Sequence, residues 1–223
     1  ANTIQVSAMN DVQRFLYASS SSVYGNSSKT PYRENLTNLK PVSFYGATKV
    51  ANEVLALGMS NYSEMKIRGM RFFTVYGPFG RPDMAYFRII NAAIDGSTFY
   101  LNGNGNLKRD FTYIDDITES ICLLEKQMKI SGKPLCDIVN IGGGNPHSIN
   151  EVIGKVEQIS GRGIEISRLP GISQDVAITD SDTSLLNELI GKSPSVSLFE
   201  GLSRTFQWAK SAEIQKQMND WVI

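Results

Sequence analysis

Arg14-Phe-Leu-Tyr-Ala-Ser-Ser-Ser-Ser-Val-Tyr-Gly25 is the stretch that decides how this chain folds. Its first five residues form a short apolar run after a turn-like Asn10-Asp11, the pattern of a strand buried in a parallel sheet. The run empties into four serines. Ligands of open α/β sheets gather beyond the carboxyl ends of the strands, so Ser19 to Ser22 are expected where a ligand could reach them.

Downstream, Asn26 to Pro41 is polar with two prolines and reads as a loop. Ser43 then has the chemistry to cap a helix running to about Tyr62, with Val50, Val54, Leu55 and Leu57 as its apolar face. Lys66 to Thr74 is the next strand, ending at Tyr76-Gly-Pro78, which completes a βαβ rhythm. After Arg81 the rhythm changes. A helix is expected over Met84 to Asp95, a strand over Thr98 to Leu101, a Gly/Asn turn, and a strand from Arg109 to Ile114. A helix opens at Asp115-Asp116 with Ile117, Ile121 and Leu124 on one face, and Asp137 to Ile141 is a strand stopped by Gly142-Gly-Gly144. Helix Ile149 to Ile159, strand Ile164 to Arg168 and helix Leu198 to Lys210 follow. Upstream, Asn2 to Met9 reads as the middle of a helix, which predicts a chain cut from something longer.

The 223 residues suffice for one sizeable core, or for a layered domain with a small lobe. Twenty-two basic residues balance 22 acidic ones, so no global field draws nucleic acid or an anionic membrane. No run approaches the roughly 18 apolar residues of a membrane helix, and no leader pattern opens the chain. A cytoplasmic protein is the resulting expectation. Cys122 and Cys136 carry no pairing signature and are expected as buried thiols. His147, the only histidine, is expected at the surface, and no metal-ligand set accompanies it.

Tyr45-Gly-Ala-Thr-Lys49 adds chemistry to the serine segment. Residues four apart share one helix face, about a turn from each other. A free phenol has a pKa near 10 and is a poor base at neutral pH, but a neighbouring ammonium stabilises the phenolate. Tyr45, with Lys49 beside it, is therefore a candidate general base. Alone, the spacing is common on solvated helices.

Longer blocks lend it weight. Together with these segments, Arg71-Phe-Phe-Thr-Val-Tyr-Gly-Pro-Phe-Gly-Arg-Pro-Asp-Met84 and Lys108-Arg-Asp-Phe-Thr-Tyr-Ile-Asp-Asp116 resemble the extended short-chain dehydrogenase/reductase superfamily of nucleotide-sugar enzymes, and UDP-glucuronate 4-epimerases in particular. The resemblance runs from Phe15 to Trp208. It implies an α/β fold, the C-terminal part of a Rossmann-type parallel sheet plus a small α/β substrate-binding lobe. It divides the chain into a truncated NAD-binding portion at 1–80 and a mainly substrate-binding lobe at 81–223, with returns to the main sheet near 107–142. It implies NAD as cofactor and a UDP-sugar as partner, and the sheet edge left open by the strands missing against that pattern is expected to favour a homo-oligomer. Tyr45 would be the base, Lys49 would also hold the nicotinamide ribose, Ser20 would bond the sugar oxygen, and Phe72 would contact the cofactor. Ser21, Ser22, Thr74, Arg81, Arg109 and Asp175 would face the substrate, with Thr74 and Arg81 on a hexuronate carboxylate and Arg109 on the diphosphate. Related dehydratases and decarboxylases place carboxyl groups where this chain has Ser21 and Ser22, which favours epimerisation. Asn102 departs from the pattern, since the family usually carries an aromatic there.

The family's glycine-rich strand-to-helix turn, whose amides meet a pyrophosphate, has no counterpart here: no glycine precedes Tyr24, and Gly142-Gly-Gly144 lacks the spacing. About 80 to 100 residues of a Rossmann domain are missing against that pattern. The chain alone is therefore expected to be inactive. The alternative is a truncated, non-catalytic relative that binds a nucleotide sugar or self-assembles.

Overall fold

The computed structural model describes residues 1–26, 30–36, 38–128, 135–171 and 176–211. The chain is mixed α/β, as the resemblance implies, and its central sheet has the order β1-β2-β6, all parallel. Strand β1 spans Arg14–Ser20, β2 Lys66–Phe72 and β6 Cys136–Ile141. Their register places Ser20 opposite Phe72 and Phe72 opposite Ile141, so the carboxyl ends of all three strands meet at one rim. Helix α1 (Asn2–Met9) and helix α2 (Phe44–Ser60) cover one face of this sheet, where Ile4, Ala56, Met65 and Ile67 are buried together.

Two smaller sheets follow. Strand β3 (Thr74–Tyr76) pairs in parallel with β5 (Lys108–Tyr113), and β5 pairs antiparallel with the short β7 (Pro146–Ser148). Strand β4 (Phe99–Asn102) pairs with β8 (Ile166–Leu169). Of the segment 107–142, β6 joins the central sheet while β5 pairs with β3. The largest apolar cluster lies among helices α3 (Ala85–Asp95), α5 (Ile149–Ser160) and α7 (Leu198–Lys210), with Ile89, Ile90, Val152, Val156 and Leu202 wholly buried. Helices α4 (Ile114–Gln127) and α6 (Ser184–Ile190) pack Ile117, Leu124 and Leu186 onto Met70, Val139 and Ile141 of the central sheet.

Serine side chains set two helix starts, the first of them expected. The Ser43 hydroxyl accepts from the Gly46 amide and starts α2. Ser148 and Glu151 form a reciprocal capping box on α5, satisfying two amides that a helix start leaves without partners. Three expectations need correction. On α2, Val54, Leu55 and Leu57 are exposed, and the helix instead presses its small residues Gly46 and Ala56 inward. Cys122 is exposed and Cys136 half-buried. His147 is half-buried in β7, 3.5 Å from Glu151, because pairing with Arg109 across β5 and β7 draws it against the sheet. Strand β7 and helix α6 escaped the sequence pattern, both being too short for a period to show. No helix among the described residues is long and apolar enough to cross a membrane.

Candidate active site

At the carboxyl rim of the central sheet the chain leaves β1 through Ser20, whose hydroxyl accepts from the Ser22 amide at 3.2 Å and donates to the Ser22 hydroxyl at 3.1 Å. This turns Ser21–Tyr24 into one turn of 3₁₀ helix. The serines are thus held by their own side chains, a local competition with regular structure that hydroxyl residues favour. Helix α2 then passes close by. A methyl group on Gly46 would lie 2.7 Å from the Ser22 carbonyl oxygen, so only glycine lets the first turn of α2 approach the serine segment.

Tyr45 is half-exposed on that turn, and Lys49 lies one turn on with its ammonium 5.4 Å from the Tyr45 ring centre. Lys49 Nζ donates to the Ala18 carbonyl oxygen at 2.9 Å, tying the helix to the end of β1. One further turn along the same face stands Glu53, which sequence reasoning passed over. Its carboxylate accepts from the Ser19 hydroxyl and, in a fork, from Arg71 Nε at 2.9 Å and Arg71 Nη2 at 2.8 Å. Arg71 is buried in β2, and its Nη1 donates to the Tyr24 hydroxyl at 2.9 Å, which in turn donates to Asn140 Oδ1 of β6 at 2.7 Å. Burial works against the Arg71 charge, yet the bonds from Glu53 and Tyr24 outweigh it and hold its pKa above the ordinary value. Burial likewise pushes the Tyr24 phenol up to about 12, against the pull of Arg71. The spacing of Tyr45, Lys49 and Glu53, each four apart, was the signal available in the sequence.

A cavity of about 560 Å³ opens in front of these elements. Ser20, Ser21, Ser22, Thr74, Arg81 and Arg109 all line it, so six of the expected residues from three separate segments converge on one space. Tyr45 and Lys49 do not line it; they stand beside it on α2, with Ser43 of the same helix start in the wall. Phe72 is turned away, into the apolar cluster of Met70 and Ile141, and its neighbour Phe73 takes the place at the wall. Asp175 lies outside the described residues. A second cavity of about 250 Å³ shares Thr74 and Arg109 with the first and continues past Arg88, Asn102 and Leu107.

Arg81 projects from the mouth of the larger cavity, 76% exposed, and pairs with Asp83. That bond raises the guanidinium pKa and lowers that of the Asp83 carboxyl. Arg109 Nη1 donates to the Val176 carbonyl oxygen at 2.7 Å. The glycine turn after β6 is engaged elsewhere: the Gly143 and Gly144 amides donate to the buried Asp110 carboxylate at 2.9 and 3.0 Å. Those amides already have an anion, and the turn leads into a strand, not a helix. No group of three or more His, Cys, Asp and Glu suited to a metal occurs among the described residues.

Comparison with known proteins places this architecture. The chain is 39% identical over 201 residues to the UDP-glucuronate 4-epimerase of Thermodesulfobacterium geofontis, covering 89% of this chain and 60% of that protein. It is 36% identical over 210 residues to a probable UDP-glucuronate 4-epimerase of Rhizobium meliloti, covering 88% and 62%. The chain therefore spans less than two thirds of the length of these relatives. Among solved structures, the UDP-glucuronic acid 4-epimerase of Bacillus cereus in complex with UDP-glucuronic acid and NAD superposes with a TM-score of 0.84 at 32% identity, over 96% of this chain and 65% of that one. Residues 1–142 match the NAD dependent epimerase/dehydratase family, and with the Rossmann-like sheet and the serine rim they establish that the chain belongs to it.

Proposed function

We propose that these residues form the substrate-facing part of a 4-epimerase for UDP-hexuronic acids, with 1–80 toward the cofactor and 81–223 mainly toward the sugar nucleotide. The observation that carries this is the convergence of the carboxyl-free serine segment with Thr74, Arg81 and Arg109 on one cavity. Tyr45 takes the proton of the sugar hydroxyl, the Lys49 ammonium stands beside its ring, and Ser20 orients that hydroxyl. Thr74 and Arg81 hold the carboxylate, for which a guanidinium fork is better shaped than an ammonium. Arg109, between the two cavities, faces the diphosphate. Ser21 and Ser22 supply hydroxyls and no acid, which suits a reaction needing no second proton donor.

NAD supplies the hydride acceptor and donor of such a reaction when it is bound. Tyr45 and Lys49, at the rim beside Ser20, fit its nicotinamide-ribose end. Among the described residues no glycine-rich turn opens a helix for its pyrophosphate, and the amides of Gly143 and Gly144 serve Asp110. Calorimetric titration of the 223-residue chain is therefore expected to show no saturable NAD binding at micromolar concentration, and micromolar binding would refute this account of the site.

The assignment of the acid sugar is tested separately. Charge-assisted hydrogen bonds contribute about 1.5–3 kcal/mol, so losing one from a ligand should weaken binding by roughly ten- to a hundredfold. Arg81→Ala is expected to weaken UDP-glucuronate by that order and to leave UDP-glucose unchanged. An unaltered ratio of the two dissociation constants would sink the hexuronate reading.

A further inference from the structure

Arg81 is the least buried of the cavity's arginines and the one whose partner comes from its own loop. Its Nε donates to Asp83 Oδ1 at 3.0 Å and its Nη2 donates to Asp83 Oδ2, so one edge of the fork already carries a carboxylate from its own chain. The backbone between these residues has little freedom to rearrange. Phe79 takes a positive φ of 58° and sets its ring 5.0 Å from that of Trp208 on α7. Gly80 lies so close to the Tyr86 hydroxyl that a methyl group there would sit 1.8 Å from it. Pro82 follows Arg81, and Asp83 directly precedes Met84, the N-cap residue of α3. Rotation of the Arg81 and Asp83 side chains suffices to part the pair.

Resting on the reading that Arg81 takes a hexuronate carboxylate, we propose that Asp83 is a resident competitor for this guanidinium, displaced one for one by the carboxylate of the ligand. The chemistry of the exchange is balanced. Both side chains are largely exposed, 76% and 63%, so a released Asp83 is resolvated by water and the broken surface pair costs little. An acid sugar restores what Arg81 gives up, a planar anion on a planar fork. A neutral sugar offers only a hydroxyl and leaves the pair with Asp83 intact. Asp83 thereby lets Arg81 yield to acid ligands and denies it to neutral ones.

Asp83→Asn keeps the shape and removes the charge. In calorimetric titrations of the 223-residue chain, this variant should bind UDP-glucuronate about two- to fivefold more tightly, the span an exposed ion pair corresponds to. UDP-glucose should bind as it does to the unaltered chain. The gain should vanish when Arg81→Ala is combined with Asp83→Asn, because the coupling runs through the guanidinium. Weaker or unchanged UDP-glucuronate binding would overturn the proposal and make Asp83 an orienting group. Equal tightening of both ligands would also overturn it, as a general field effect on the shared diphosphate, and so would a gain that survives in the double variant. If Arg81→Ala alone changes neither ligand, the hexuronate reading itself has failed and the proposal falls with it, an outcome that does not depend on the Asp83 variant.

Discussion

Tyr45→Phe is expected to lower kcat for UDP-glucuronate epimerisation by about 10²- to 10⁴-fold, the usual contribution of a positioned general base. KM should stay nearly unchanged, because the phenol oxygen acts on a proton in flight and the ring that remains fills the same space. The assay needs a pyrophosphate turn, which none of the described residues forms, so a chimera joining the N-terminal third of the Bacillus cereus enzyme to this chain is the suitable protein. Tyr45 is half-exposed and its ring has no buried partner, so the substitution should leave the unfolding midpoint where it was, within about 0.5 kcal/mol. A variant that keeps more than about a tenth of the turnover would take the role of base away from Tyr45.

The second large effect is on stability. Glu53→Ala leaves the Arg71 guanidinium buried, 3% exposed, with its fork unfilled, and removal of one partner from a buried pair typically costs about 3–5 kcal/mol. Against a total of roughly 5–15 kcal/mol for a domain, such a loss is severe. Replacing both partners, Glu53→Met with Arg71→Met, should recover most of it, since apolar residues of similar volume often match a buried ion pair. Urea unfolding of the three proteins decides: a single Glu53→Ala variant within 1 kcal/mol of the parent (about one pKa unit's worth of energy) would show that the pair contributes nothing beyond packing.

Most of the elements could be read from residue pattern because the forces that form them are local. The serine cap of α2 and the apolar period of α4 each involve partners within a few residues. The candidate site residues were chosen for a different reason: the spacing of Tyr45 and Lys49 and the long blocks around Thr74, Arg81 and Arg109 are sequence signatures in themselves. Strand β2 was harder. A parallel strand buried on both faces is expected to be apolar, yet Lys66, Arg68 and Arg71 are all buried in it. Arg68 is neutralised in a fork by Asp137 of β6, at 2.7 and 2.6 Å, and Arg71 by Glu53 of α2.

The amino-acid sequence alone determined the α/β class, the family and the candidate residues, because periodicity, caps and motif spacing are carried by neighbours along the chain. Only the tertiary structure decided that Phe72 packs into the core while Phe73 meets the cavity, that Arg81 is bonded to Asp83, and that Glu53, Arg71, Tyr24 and Asn140 join four elements behind the serines. Those outcomes depend on which buried charges and hydroxyls find partners across the sheet, and a buried polar group is stable only where folding brings such a partner within reach.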